Sequence, residues 1–238
     1  MDENEDRAGV APGLLDVERL LRSASALLLD FNGTLSDDED LIAELVAEVA
    51  GEELGVGLGR ERYFAELVGR TEEQMFRVLA DGGSSDADID RMVATFNRRY
   101  LDRVRAQRRI TPAAEAFVRE AHRRRLAIAV VTAASRTVVV PALSRLELLD
   151  AIDTVVALED VEHSKPAPDC YLSALELLGF EAGSAVAFED SRTGATAALA
   201  AGLPVVAVGP GARGLADLTP HAVDGLGPEL FGVAALTG

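Results

Sequence analysis

The sequence predicts an α/β protein of three layers, a parallel sheet between helices, with an all-helical insertion after its first strand. Two observations carry this. Five short apolar runs recur along the chain, with helix-like stretches between the later ones. The first two runs, by contrast, are separated by about 95 residues that show helical periodicity and no convincing strand. A continuous apolar run fits a strand buried on both faces, and strand–helix alternation argues a parallel sheet covered on both sides.

In order, residues 1–12 open Met1-Asp2-Glu3-Asn4-Glu5-Asp6 and read as a disordered acidic tail, neither signal nor transit peptide. The run 25–31 is the first strand. Within the insertion, Leu41, Leu45, Val46, Val49 and Ala50 form one apolar stripe. Phe64, Leu67, Val68, Phe76 and Leu79 form a second, and Met92, Phe96 and Leu101 a third. Gly82-Gly83-Ser84-Ser85 marks a turn between helices, and Thr111-Pro112 a return hinge. Strands are then expected at 127–132, 153–157, 185–188 and 204–208, with helices at 112–124, 136–147, 168–178 and 192–201. The expected organisation is a Rossmann-like core at 13–36 and 112–238 and a helical insertion at 37–111. The insertion should sit over the carboxyl edge of the sheet, where open α/β sheets bind ligands.

Composition narrows the function. The net charge of −17 speaks against nucleic acid as a partner. One basic stretch stands out, Arg98, Arg99, Arg103, Arg105, Arg108 and Arg109; it reads as a solvated helix face, with Asp102 four residues from Arg98, or as a phosphate-facing patch. No run approaches the roughly 18 apolar residues of a membrane span. The single cysteine, Cys170, forms no internal disulfide and fits a reducing cytoplasm. His122, before Arg123-Arg124-Arg125, reads as pairing with a helix end, His163 as a loop histidine or one that orients a substrate, and His221 carries no metal-ligand spacing.

Four segments fall at the carboxyl ends of expected strands: Asp30-Phe31-Asn32-Gly33-Thr34-Leu35, Val131-Thr132-Ala133-Ala134, Ser164-Lys165-Pro166, and Phe188-Glu189-Asp190-Ser191. Each alone has an ordinary explanation as a turn, a surface lysine or a helix cap. Together they make a phosphoryl-transfer site. The Asp30 carboxylate can attack phosphorus and form an aspartyl-phosphate. Gly33 permits a close turn, and the Gly33 and Thr34 amides can face an anion. Thr132 and the amides after it, beginning with Ala133, offer donors to phosphoryl oxygens. Lys165, the only lysine among 23 basic residues, supplies a compact positive charge. Asp190, aided by Glu189, supplies hard oxygen ligands suited to Mg2+, which offsets the repulsion between an anionic nucleophile and an anionic substrate.

These four segments, in this order, resemble the haloacid dehalogenase superfamily, most closely its branch of β-phosphoglucomutase and small-metabolite phosphatases. That branch carries a helical cap after its first motif, which matches residues 37–111. Ser36-Asp37-Asp38-Glu39 resembles the stretch leading into the cap, and Gly69-Arg70-Thr71 a cap turn facing the active site, which makes Arg70 a candidate substrate contact. The resemblance implies Asp30 as nucleophile, Thr132 and Lys165 as phosphate contacts, and a metal held by Asp30, Asp190 with Glu189, and the backbone carbonyl of residue 32.

One position departs from the pattern. The family's phosphatases carry a second aspartate two residues after the nucleophile, which protonates the leaving oxygen; here it is Asn32. Losing a general acid/base lowers the rate by roughly 10²–10⁴. Four explanations stand open: a substrate with a good leaving group, a neighbour such as Asp37 or Glu39 in the missing role, an introduced substitution that traps an intermediate, or a protein that binds phosphorylated ligands with little turnover. A phosphomutase needs the acid/base in both directions, so Asn32 argues against one. A phosphonatase needs a cap lysine, which the cap lacks. A 2-haloacid dehalogenase needs no acid and remains an alternative. The expected activity is Mg2+-dependent hydrolysis of a small phosphorylated metabolite.

Overall fold

In the computed structural model the described residues are 12–232; the acidic segment expected as a tail falls almost wholly outside them. The chain runs α1 (Pro12–Ser23), β1 (Ala26–Leu29), α2 (Glu39–Leu54), α3 (Arg60–Glu66), α4 (Glu72–Ala80), α5 (Asp86–Ala106), α6 (Pro112–Arg123), β2 (Ala127–Val131), α7 (Arg136–Ser144), β3 (Thr154–Val156), α8 (Asp169–Leu178), β4 (Ala185–Glu189), α9 (Arg192–Ala200), β5 (Val205–Val208) and β6 (Ala222–Val223). The six strands form one sheet in the order β3-β2-β1-β4-β5-β6, and every pairing is parallel. From β1 the chain winds outward through β2 and β3, then returns to the other side of β1 with β4. That reversal between β1 and β4 is where a doubly wound sheet opens a crevice for ligands.

Alternate strand residues face opposite layers. Leu27, Leu29, Ile128, Val130, Val186, Phe188, Val206 and Val208 pack with Phe117 and Val118 of α6 and Val17 and Leu21 of α1. Ala26, Ala129, Ala185, Ala187 and Ala207 share the other layer with Cys170, Tyr171 and Ala174 of α8 and Ala195, Ala197 and Ala198 of α9. Small side chains on both partners let α9 approach the sheet closely. Among the described residues no helix is long and apolar enough to cross a membrane.

The four helices α2–α5 enclose a core of their own. Two of its expected stripes are off by one residue. Tyr63 and Tyr100 are buried, whereas Phe64 is exposed and Leu101 only half-buried. In each case the tyrosine hydroxyl has a carboxylate partner, Glu39 or Asp38, and a buried tyrosine needs one. Helix starts follow capping chemistry. Thr71 and Ser85 make reciprocal caps with Gln74 and Asp88, and Thr111 caps α6 ahead of Pro112. The chain leaves and rejoins the sheet side by side: Ser36 bridges to Ile110, and the Asp37 amide donates to the Arg109 carbonyl at 3.0 Å. The arginines of α5 face the acidic side of α2, Arg99 with Glu48 and Glu52, Arg103 with Glu44 and Glu48, so this stretch is an ion-paired helix contact.

Candidate active site

Asp30 follows β1 directly, and its amide continues the ladder to Phe188 of β4 at 3.0 Å. Its side chain is almost fully buried. The Lys165 Nζ donates to Asp30 Oδ1 at 2.6 Å, to Glu189 Oε1 at 2.6 Å and to the Val131 carbonyl at 3.0 Å. One ammonium thus joins the carboxyl ends of β1, β2 and β4. Glu189 is fully buried; its Oε1 also accepts from the Tyr171 hydroxyl at 2.6 Å, and its Oε2 from Ser191 at 3.3 Å. Tyr171, on α8, is a site residue with no sequence motif around it.

Two glycines create the room for these carboxylates. Gly33 has φ +78°, and a Cβ there would fall 2.0 Å from Asp190 Oδ2. A Cβ on Gly194 would fall 1.9 Å from Glu189 Oε1. Asp30, Glu189 and Asp190 can bring carboxylate oxygens within 4.8 Å of one another. Burial, and then the Glu189 charge, push the Asp30 carboxyl up to about 7 despite Lys165. Burial followed by Asp30, Glu189 and Glu39 raises Asp190 well above the usual range. Burial disfavours the Lys165 charge, but Asp30 and Glu189 outweigh it and hold the ammonium protonated. Three carboxylates against one ammonium leave surplus negative charge in the interior, an environment that fits a hard divalent cation.

A small cavity of about 50 Å³ lies above this cluster, walled by the sheet edge below and the helical insertion above. Asp30, Asn32, Thr132, Ala133, Lys165 and Asp190 line it from the core, and Glu39, Tyr63, Arg70 and Glu72 from the insertion and its first turn. Thr132 Oγ1 accepts from the Ala134 amide at 3.0 Å, which leaves its own proton to donate into the cavity. Arg70 is exposed, and its Nε donates to the Glu66 carbonyl at 2.8 Å. Gly33 and Thr34 lie outside the lining, and the Gly33 amide is spent on the Ser36 carbonyl at 2.8 Å. Glu189 is likewise beneath the cavity floor rather than on it.

Asn32 faces two ways. It lines the cavity, yet its Nδ2 donates to Asp38 Oδ2 at 2.9 Å and lies 3.4 Å from the Tyr100 hydroxyl. Asp38 is 1% exposed and also accepts from Ser36 Oγ at 2.7 Å and from Tyr100. Burial moves Asp38 up to about 6, against the hydrogen bonds of Tyr100, Ser36 and Asn32. This knot ties the motif after β1 to α5. Asp38 is adjacent to Asp37 in sequence, and nothing in the pattern distinguishes the buried acid from the exposed one.

The sequence profile of the haloacid dehalogenase-like hydrolases matches residues 27–208. A CbbY protein of Rhodobacter capsulatus is 31% identical over 189 residues, 76% of this chain and 83% of its own. A phosphoglycolate phosphatase of Cupriavidus necator is 28% identical over 218 residues, covering 89% of this chain and 92% of that protein. The β-phosphoglucomutase of Clostridium difficile overlays with a TM-score of 0.76 at 17% identity, over 89% of this chain and 93% of that one, a likeness of fold. The chain belongs to the haloacid dehalogenase-like hydrolases, in their phosphatase-like branch, and is an enzyme of the phosphatase type.

Proposed function

We propose that this enzyme hydrolyses a small phosphomonoester or acyl phosphate through an aspartyl-phosphate on Asp30, with Mg2+ as cofactor. The observation that carries this is Asp30 at the β1/β4 reversal, 2.6 Å from a buried lysine and beside the Asp190 carboxylate. Asp30, Asp190 and the Asn32 carbonyl would hold the metal, which when bound supplies charge neutralisation for the phosphoryl group. Glu189 stands within reach of that cluster, and its Oε1 fixes Lys165.

The substrate phosphate enters the cavity with its oxygens toward Lys165 and the Thr132 hydroxyl. Lys165 offsets charge on both nucleophile and phosphoryl group, and Asp30 attacks in line with the leaving oxygen. Water then attacks phosphorus, releasing phosphate and the Asp30 carboxylate. The insertion roofs the cavity and selects the organic part of the substrate. A phosphorylated metabolite is a cytoplasmic substrate, and a buried Cys170 with no disulfide suits that compartment. The test is a panel of phosphorylated metabolites assayed with Mg2+, with excess chelator, and with Asp30→Asn. Turnover that needs both Mg2+ and Asp30 supports the reading; full turnover of a 2-haloacid in chelator overturns it.

A further inference from the structure

Asn32 has no proton to give, and its amide is committed to Asp38. An alkoxide leaving group still needs a proton. Of the neighbouring acids, Asp37 is exposed and lies outside the cavity. Asp38 is buried behind Asn32, holds three side-chain donors and does not reach the cavity. Glu39, in the first turn of α2, lines the same cavity as Asp30, Lys165 and Asp190. Its Oε1 accepts from the Tyr63 hydroxyl at 2.6 Å, which fixes the carboxyl and leaves Oε2 for a proton. Among the described residues no cation pairs with it; Arg60, the nearby arginine, pairs with Asp40.

We infer that Glu39 is the general acid/base of this enzyme, the role that the residue at position 32 cannot fill; this rests on Asp30 as the nucleophile. In the first half-reaction an Asp30 oxygen bonds to phosphorus while the P–OR bond breaks. The electron pair stays with the leaving oxygen, which takes the Glu39 proton and departs as ROH. In the second, water attacks phosphorus and gives a proton to the Glu39 carboxylate as the phosphorus–Asp30 bond breaks. Proton and phosphoryl group balance over the cycle.

The surroundings suit a group that must be acid, then base, near neutral pH. Asp38 and Asp40 flank Glu39 on its own segment, Tyr63 meets it from α3, and Asp190 faces it from the sheet edge. Arg70 and Glu72 look across the cavity from the insertion. Burial moves the Glu39 carboxyl up to about 7; Tyr63 opposes this, and Asp38 and Asp40 add to it. Glu72 also lines the cavity, and burial, then the Glu159 charge, move it up to about 7. Glu39 shares the cavity lining with Asp30 and Asp190, and the Tyr63 hydroxyl holds its carboxyl there.

The test compares Glu39→Gln, Glu72→Gln and Asp30→Asn on glycerol 2-phosphate, a poor leaving group, and p-nitrophenyl phosphate, a good one. Glu39→Gln should lower kcat/KM for glycerol 2-phosphate by roughly 10²–10⁴. Its kcat/KM for p-nitrophenyl phosphate should fall far less, and phosphoenzyme should accumulate because water is no longer deprotonated. Circular dichroism and thermal unfolding report whether the variant folds. Equal losses on both substrates in a folded variant, unchanged turnover of glycerol 2-phosphate, or a leaving-group-selective loss in Glu72→Gln instead would each overturn the assignment. Asp30→Asn turning over either substrate would overturn the nucleophile, a separate result.

Discussion

Asn32→Asp places a carboxylate where an amide now donates to Asp38 Oδ2 at 2.9 Å. At an effective dielectric constant of about 20, two full charges at that separation repel by about 5–6 kcal/mol. Rotation of the new side chain and uptake of a shared proton relieve part of this, and a net loss of about 3 kcal/mol at pH 8 is expected. For a protein of this size that is a drop of roughly 6–12 °C in Tm. The assay is thermal and urea unfolding of Asn32→Asp, Asp38→Asn and the double exchange, at pH 8 and pH 5. At pH 5 the pair binds a proton and the penalty shrinks. The double exchange restores one donor facing one acceptor, so it should recover most of the loss, with a coupling energy above about 1 kcal/mol. Additive effects, or an Asn32→Asp variant as stable as wild type at pH 8, would refute the geometry of the knot.

Other consequences follow from the same buried charges. Metal-free protein should gain stability as pH falls from about 7 toward 4, because Asp38, Glu39 and Glu72 have folded-state pKa values of about 6, 7 and 7, above their ordinary ones. A raised carboxyl loses its contribution as pH rises through the folded value. Asp38 alone, moved from 3.8 to about 6, accounts for about 3 kcal/mol. Urea titrations across this range should show it, and a flat or opposite profile would contradict it. Lys165, 4% exposed and locked between two carboxylates, should resist amine-reactive reagents; peptide mapping that finds it modified in folded protein would contradict its burial. Lys165→Met should abolish turnover and destabilise by about 3–5 kcal/mol through the carboxylates left unpaired, read by urea unfolding. Gly194→Ala should displace Glu189 and with it Lys165, lowering stability by about 1–3 kcal/mol and kcat more than KM; wild-type kinetics would show that Glu189 does not fix Lys165.

The core strands were readable because each is a continuous apolar run buried on both faces, and no other element looks like that. β6 has two residues, Ala222 and Val223, too few for a pattern. The helix α1 begins at Pro12, where the acidic opening drew attention away from Leu14, Val17 and Leu21. In the insertion, periodicity found the helices but chose Phe64 over Tyr63 and Leu101 over Tyr100. Hydropathy ranks the apolar neighbour higher, while the fold selects the side chain whose hydroxyl reaches Glu39 or Asp38. The strand-end motifs announced Asp30, Thr132, Lys165 and Asp190, since their chemistry depends on residue type and order. Glu189 announced itself as a metal ligand, but its partners, Lys165 and Tyr171, come from distant segments and redirect one of its oxygens. Asp38 and Glu72 gave no signal, because burial alone sets them apart from the many exposed acids of this chain.

The most direct measurement of the central claim is intact-mass analysis of enzyme quenched in acid during turnover of acetyl phosphate with Mg2+, followed by peptide mapping. A single phosphoryl adduct on Asp30, stable in acid, cleaved by hydroxylamine and absent in Asp30→Asn, is the expected result. An adduct on another residue, or undiminished turnover by Asp30→Asn, would contradict it.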